Sequence, residues 1–237
     1  MNYWWVVPAA GIGQRMQADR PKQYLELAGQ SVLTTTLLRL HQAWPQARLV
    51  VAVQPDDPWW PACRAELKQA APELVLMTAQ GGAERADSVL AALDYLQPHA
   101  AAEDWVLVHD AARPCVQACD VVRLIQEAQP DGGLLACPVA DTLKQADSEQ
   151  KVATTVDRRA LWQALTPQMF RYQALRSALQ QALAAGVPLT DEASALEWAG
   201  IQPKLVLGRR DNIKITHPED LALAEFLLNR EKDVSCE

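Results

Sequence analysis

Three clusters of small and charged residues could do chemistry on phosphates. In the first, Pro8, Ala9, Ala10, Gly11 and Gly13 make a loop with almost no side chain to hold a ligand off the backbone. Main-chain N–H groups there can approach a phosphate chain, and a helix start nearby would add a favourable dipole. Arg15 and Lys22 follow at a spacing that lets both reach the same phosphates from the side. The second cluster, Gly81-Gly82-Ala83-Glu84-Arg85-Ala86-Asp87-Ser88, again puts bare backbone before a helix. Its Arg85 and Ser88 carry hydrogen-bonding groups suited to a pyrimidine's carbonyl and ring nitrogen. The third, His109-Asp110-Ala111-Ala112-Arg113-Pro114, follows an apolar strand, where open α/β sheets put ligands. Asp110 suits a metal-bound water or a ribose hydroxyl, Arg113 can fork onto a phosphate, and the small Ala111 and Ala112 clear space between them. A structural Asp110–Arg113 ion pair is the competing reading.

Two familiar phosphate loops are excluded. No Gly-Lys-Ser/Thr tripeptide occurs, so there is no P-loop. Met16 stands where a dinucleotide fingerprint needs its third glycine, and the second strand ends in Gln54 rather than a ribose-binding acid. Ser–His–Asp and Cys–His constellations are also missing. A nucleophile that is itself a phosphate monoester needs no general base, because a second pKa of about 6 leaves it largely dianionic at neutral pH. Cations must then neutralise the repulsion between two polyanions.

The elements that would position these residues alternate. Strands are expected at Tyr3–Val7, Leu49–Val53, Leu74–Thr78, Trp105–Val108 and Gly132–Val139, with a Ser31-capped helix running to Ala43. Trp59 and Trp60 read as a surface staple or core edge rather than a base-stacking pair. This is the pattern of an α/β fold, a Rossmann-like, mostly parallel sheet with helices on both faces. Residues 1–237 read as a single domain. From 140 to 157 the rhythm breaks into a polar, two-stranded projecting arm that needs something to pack on, and a second subunit makes a homodimer the expected assembly. Helices are expected at Tyr172–Ala185 and, capped by Thr190, at 190–199, where capping outweighs metal binding by the acids. Strands at Lys204–Leu207 and Asn212–Thr216 follow, the second turning Lys214 away from the core. A last helix, Pro218–Asn229, precedes a polar tail, Arg230–Glu237, expected to be disordered.

Pro-Ala-Ala-Gly-x-Gly-x-Arg-Met followed by Pro-Lys-Gln resembles the signature of sugar-nucleotide and isoprenoid-precursor nucleotidyltransferases. His-Asp-Ala-Ala-Arg-Pro and Thr-Asp-Glu-Ala-Ser narrow the resemblance to the 2-C-methyl-D-erythritol 4-phosphate cytidylyltransferases. Ala83 departs from some relatives, which carry a polar residue there. The resemblance implies a nucleotide-diphospho-sugar transferase type of fold and CTP as donor. Gly11, Gly13 and their neighbours would hold the triphosphate, and Gly81, Gly82, Arg85 and Ser88 would read cytosine. Arg15, Lys22, Arg158 and Lys214 would be catalytic. Asp110, Arg113, Thr142, Arg158 and Lys214 would position the acceptor phosphate. Mg²⁺ or another divalent cation, held mainly by CTP with a weak contribution from Asp110, is the implied cofactor. Residue types alone stop at a nucleotidyltransferase acting on a small phosphorylated polyol. Ribitol 5-phosphate as acceptor, and a non-catalytic nucleotide-binding relative, remain as alternatives.

At 237 residues and 49% hydrophobic the chain can bury a full core, and its net charge of −7 argues against a general nucleic-acid or anionic-membrane binder. Any anion site must therefore be a local cluster of cations. No basic-then-apolar leader precedes Tyr3, and no apolar run approaches the roughly 20 residues of a bilayer span, so a cytoplasmic location is expected. Cys63, Cys115, Cys119, Cys137 and Cys236 include no Cys-x-x-Cys pair, and reduced thiols are the default reading.

Overall fold

In the computed structural model, residues 1–11, 16 and 19–231 are described; Gly13, Arg15, Cys236 and the tail beyond Glu231 lie outside them. The central sheet has seven strands: β1 (Tyr3–Pro8), β4 (Arg48–Val53), β5 (Leu76–Gln80), β6 (Trp105–Val108), β7 (Gly133–Pro138), β10 (Trp162–Arg171) and β11 (Lys204–Leu207). Their order is β11-β7-β10-β6-β1-β4-β5. All neighbours pair in parallel except β10, which runs antiparallel to both β6 and β7. The expected mostly parallel α/β architecture is therefore present.

Strict alternation along the strands feeds two cores. Trp5, Val7, Leu49 and Val51 face α1 (Val32–Ala43), α2 (Trp60–Ala70) and α4 (Ala118–Glu127), meeting Leu37, Leu67 and Leu124. Trp4, Val6, Val50 and Val106 face α3 (Arg85–Tyr95), α5 (Tyr172–Ala184) and α6 (Glu192–Trp198), meeting Leu93, Leu175 and Leu196. Burial on both faces explains why these strands read as unbroken apolar runs. Ser31 caps α1 as expected, its Oγ accepting from Thr34 N at 3.0 Å. Trp60 is buried and Trp59 stacks on Tyr24, so the tryptophan pair is an edge of the core.

Several boundaries differ from the sequence expectation. The third strand is Leu76–Gln80, two residues later than Leu74–Thr78, because its ladder with β4 pairs Leu76 with Leu49 and Gln80 with Val53. Asp191 rather than Thr190 caps α6, accepting from Ser194 N at 2.9 Å. Asn212–Thr216 is not a strand, although Ile215 N does donate to Ala112 O at 2.8 Å. The last helix, α7 (Pro218–Glu231), runs two residues beyond Asn229. Strand β10 and helix α4 have no counterpart in the sequence reading. In β10 the polar Gln163, Thr166 and Gln168 and Pro167 hide the strand, and its ladder shifts register between Ala164 and Gln168, where a proline can be tolerated. Gln168 is nonetheless buried, receiving Ala193 N and donating to Asp191.

The short ladder of β2 (Glu26–Leu27) and β3 (Gln30–Ser31) leads into α1. Strands β8 (Leu143–Ala146) and β9 (Val152–Val156) pair only with each other and form the expected arm, with nearly every residue exposed.

Candidate active site

Strands β6, β1, β4 and β5 are consecutive in the sheet and parallel, so the loops that leave their carboxyl ends meet on one edge. There they enclose a cavity of about 710 Å³. Pro8, Ala9, Ala10 and Gly11 form one wall, Gly82, Ala83, Glu84, Arg85 and Ser88 the opposite one, and Asp110 with Ala111 and Ala112 the floor; Lys22, Gln23 and Lys214 also line it. Three stretches spread over about a hundred residues of sequence are thereby gathered in one slot. Gly81 lies where the two walls touch: a Cβ there would stand 2.5 Å from that of Ala10. A side chain at Gly81 would push the walls apart.

Asp110 is the electrostatic centre. Its Oδ1 accepts from Arg85 Nε at 2.9 Å, and its Oδ2 lies 3.2 Å from Arg113 Nε and 3.0 Å from Lys214 Nζ. Burial alone would raise its pKa, but the Arg85, Lys214 and Arg113 charges outweigh burial and hold the carboxyl well below its ordinary range. The remaining Arg85 fork is bidentate on buried Glu192, at 2.6 and 3.0 Å. Three cations thus face two carboxylates, and the slot keeps a net positive charge inside an acidic protein.

These contacts change how some predicted residues are used. Arg85 is a brace between Asp110 and Glu192 rather than a freestanding base reader. Ser88 Oγ accepts from Gly82 N at 3.1 Å and so shapes the second loop. Arg113 does not line the cavity; its fork is spent on Asp110 and on Asn212 O, so the competing structural ion pair exists. Thr142 and Arg158 stand on the arm and its root, outside the cavity of their own chain, and Arg158 donates to Ala140 O. Glu192 is the residue that sequence reasoning assigned only to a helix end. An acid in a first turn is normally solvated, and the arginine that pairs with it lies 107 positions away.

His109 is fully buried beside Asp110, and its hydrogen bonds exclude it as a base. Its Nε2 faces Arg113 O at 3.0 Å, a pure acceptor, so Nε2 carries the proton. Nδ1 must then accept from Thr166 Oγ at 3.1 Å, while that oxygen accepts from Asp110 N. The ring is therefore a neutral strut holding the Asp110–Arg113 turn. Burial pushes its pKa down to about 4 from 6.5. Between those values the unfolded chain binds a proton that the folded chain refuses, so stability falls as pH drops through that window. The urea midpoint of the wild type should fall more steeply between about pH 7 and about pH 4.5 than that of His109→Gln; parallel slopes would reject the strut.

A slot of small-residue loops and cations at the carboxyl ends of a parallel sheet is the build of a nucleotidyltransferase. A family profile described as 2-C-methyl-D-erythritol 4-phosphate cytidylyltransferase matches residues 4–230. A protein of that description from Vibrio vulnificus is 55% identical over 231 residues, covering 96% of this chain and 95% of its own. One from Vibrio cholerae is also 55% identical, over 97% of both chains. The crystal structure of the Francisella tularensis enzyme of that name superposes with a TM-score of 0.77 at 33% identity, over 96% of this chain and all of its own. A 4-diphosphocytidyl-2C-methyl-D-erythritol synthase structure gives a TM-score of 0.80 at 36% identity, over 96% and 98% of the two chains. This chain belongs to the 2-C-methyl-D-erythritol 4-phosphate cytidylyltransferase family.

Proposed function

We propose that the chain transfers the cytidylyl group of CTP to 2-C-methyl-D-erythritol 4-phosphate, giving 4-diphosphocytidyl-2-C-methyl-D-erythritol and pyrophosphate, a step in isoprenoid-precursor synthesis. The observation that carries this reading is the near-complete match to relatives of that description, with the slot residues in their expected motifs. An acceptor phosphate oxygen attacks the α-phosphorus in line; that P–O bond forms as the bond to the β-phosphate oxygen breaks and pyrophosphate leaves. No proton need be removed from a dianionic acceptor, so the work falls to cations. Lys22 and Arg15 stabilise charge on the leaving pyrophosphate. Lys214 and Arg158 receive the acceptor phosphate, with Thr142 beside it and Arg113, expected there from the sequence, holding Asp110 instead.

A divalent cation, Mg²⁺ or another, would be held mainly by the phosphates of CTP. Among the described residues no group of three or more His, Cys, Asp or Glu could hold a metal. The carboxylates lining the slot are Asp110 and Glu84, and both Asp110 oxygens already face cations. Such a donor set fits a metal carried on the triphosphate, to which Asp110 would contribute only weakly. The metal would neutralise phosphate charge. A homodimer joined through the arm, and a cytoplasmic location suited to a CTP-consuming reaction, belong to the same proposal; no helix among the described residues is long and apolar enough to cross a membrane.

Cytosine would be read by the peptide groups of Gly81 to Ala83, since Arg85 and Ser88 are committed within the protein. Discrimination by a site that pairs every polar group of a base reaches about 10²-fold or more. Pyrophosphate release should therefore be at least about 10²-fold faster, per unit of kcat/KM, with CTP than with UTP, and faster still than with ATP. Equal turnover of UTP would remove the base-reading role from the second loop. The same assay with 2-C-methyl-D-erythritol 4-phosphate and ribitol 5-phosphate side by side tests the acceptor.

A further inference from the structure

Three consecutive carbonyl groups of the first loop, those of Ala9, Ala10 and Gly11, are held by two glutamine side chains. Gln23, which is buried, uses both hydrogens of its amide nitrogen, on Ala9 O at 2.7 Å and on Gly11 O at 2.9 Å. Gln54, at the carboxyl end of β4, donates to the carbonyl between them, Ala10 O, at 2.8 Å. A carbonyl can only accept, so the amide nitrogens must face it and the two glutamine orientations are fixed.

A trans peptide plane carries its C=O and the next N–H on opposite sides. Holding Ala9 O against Gln23 therefore points the Ala10 N–H the other way, and holding Ala10 O against Gln54 does the same for Gly11 N–H. Ala10 and Gly11 line the cavity, and neither N–H has an acceptor among the described residues. Without the glutamines, the small residues of this loop would let a plane rotate and bring a carbonyl dipole to face the phosphates. Gln23 lines the cavity next to Lys22, while Gln54 is not among its lining residues, and charge and spacing assigned neither of them a role beyond the Pro-Lys-Gln string.

We infer that Gln23 and Gln54 are positioning residues that set the polarity of the first loop, presenting amides and withdrawing carbonyls so that the slot prefers a nucleoside triphosphate over the monophosphate. This rests on the CTP reading given above. The test is calorimetric titration of the full chain with CTP, CDP and CMP in the presence of Mg²⁺, for the wild type, Gln23→Met and Gln54→Met. Methionine keeps the bulk of glutamine and removes the donors. Gln23→Met should weaken CTP by about tenfold or more and CMP by no more than about twofold, flattening the preference for phosphate number. Gln54→Met, which loses one bond, should weaken CTP by about threefold with the same selectivity. In turnover the KM for CTP should rise while the KM for the acceptor stays put. A purely structural role would lower the melting temperature and leave the CTP-to-CMP ratio alone. Should Gln23→Met fail to fold, Gln54→Met decides. An unchanged ratio in the folded variants overturns the inference and spares the CTP reading; a wild type that binds no CTP overturns both.

Discussion

Lys22→Ala is expected to lower kcat by about 10²-fold or more, the loss typical of one donor aimed at transition-state charge. The structure gives this lysine a fixed place. Its Nζ donates to Ile215 O at 2.8 Å, which ties it to the segment that carries Lys214. A side chain already ordered loses little freedom when pyrophosphate charge develops beside it, so its contribution is concentrated in the transition state. Arg15→Ala should behave alike, although Arg15 lies outside the described residues. Lys214→Ala should differ in kind, raising the KM for the polyol phosphate with little change in the KM for CTP. Steady-state kinetics against each substrate separates the three. Near-normal kcat in Lys22→Ala would remove that lysine from the leaving-group side.

The second large effect is a recovery. Thr142 and Arg158 belong to an arm whose strands bond only to each other, and Leu143 and Val152 on it are exposed. A lone two-stranded ribbon is marginal in water, and an uncovered edge invites pairing. Packed on a twofold partner, the arm would carry Arg158 over the other chain's slot. Inactive Lys22→Ala chains mixed with inactive Arg158→Ala chains should then regain activity. A heterodimer would have one site with both lesions and one with neither. Random exchange of equal amounts makes about half the dimers hetero, so recovery should approach about a quarter of the wild type. Subunit exchange verified by mass without regained activity would mean that each chain completes its own site.

The sequence by itself determined the parallel strands of the sheet and most of the contents of their ligand edge. Runs such as Trp4 to Val7 and Leu49 to Val53 admit only strands buried on both faces, and loops at their carboxyl ends gather in one place once those strands are parallel neighbours. Gly11, Lys22, Gly82 and Asp110 could be assigned to one slot for that reason, whereas Lys214 was placed by an expected strand that does not form and by the family resemblance. What the sequence could not determine is which polar groups spend themselves on one another. Arg85 looked available until the fold brought Glu192 to its fork, and Arg113 until Asn212 O took its other arm. Pairings across about a hundred residues are set by how the helices dock, not by local propensity, and a charged residue carries no mark of its partner. Strand β10 escaped for a related reason: Gln168 is polar, yet its partners Ala193 and Asp191 come from another element. Gln23 and Gln54 were in plain view as uncharged amides. Only the backbone path of the first loop turns them into the groups that decide which way its peptide planes face.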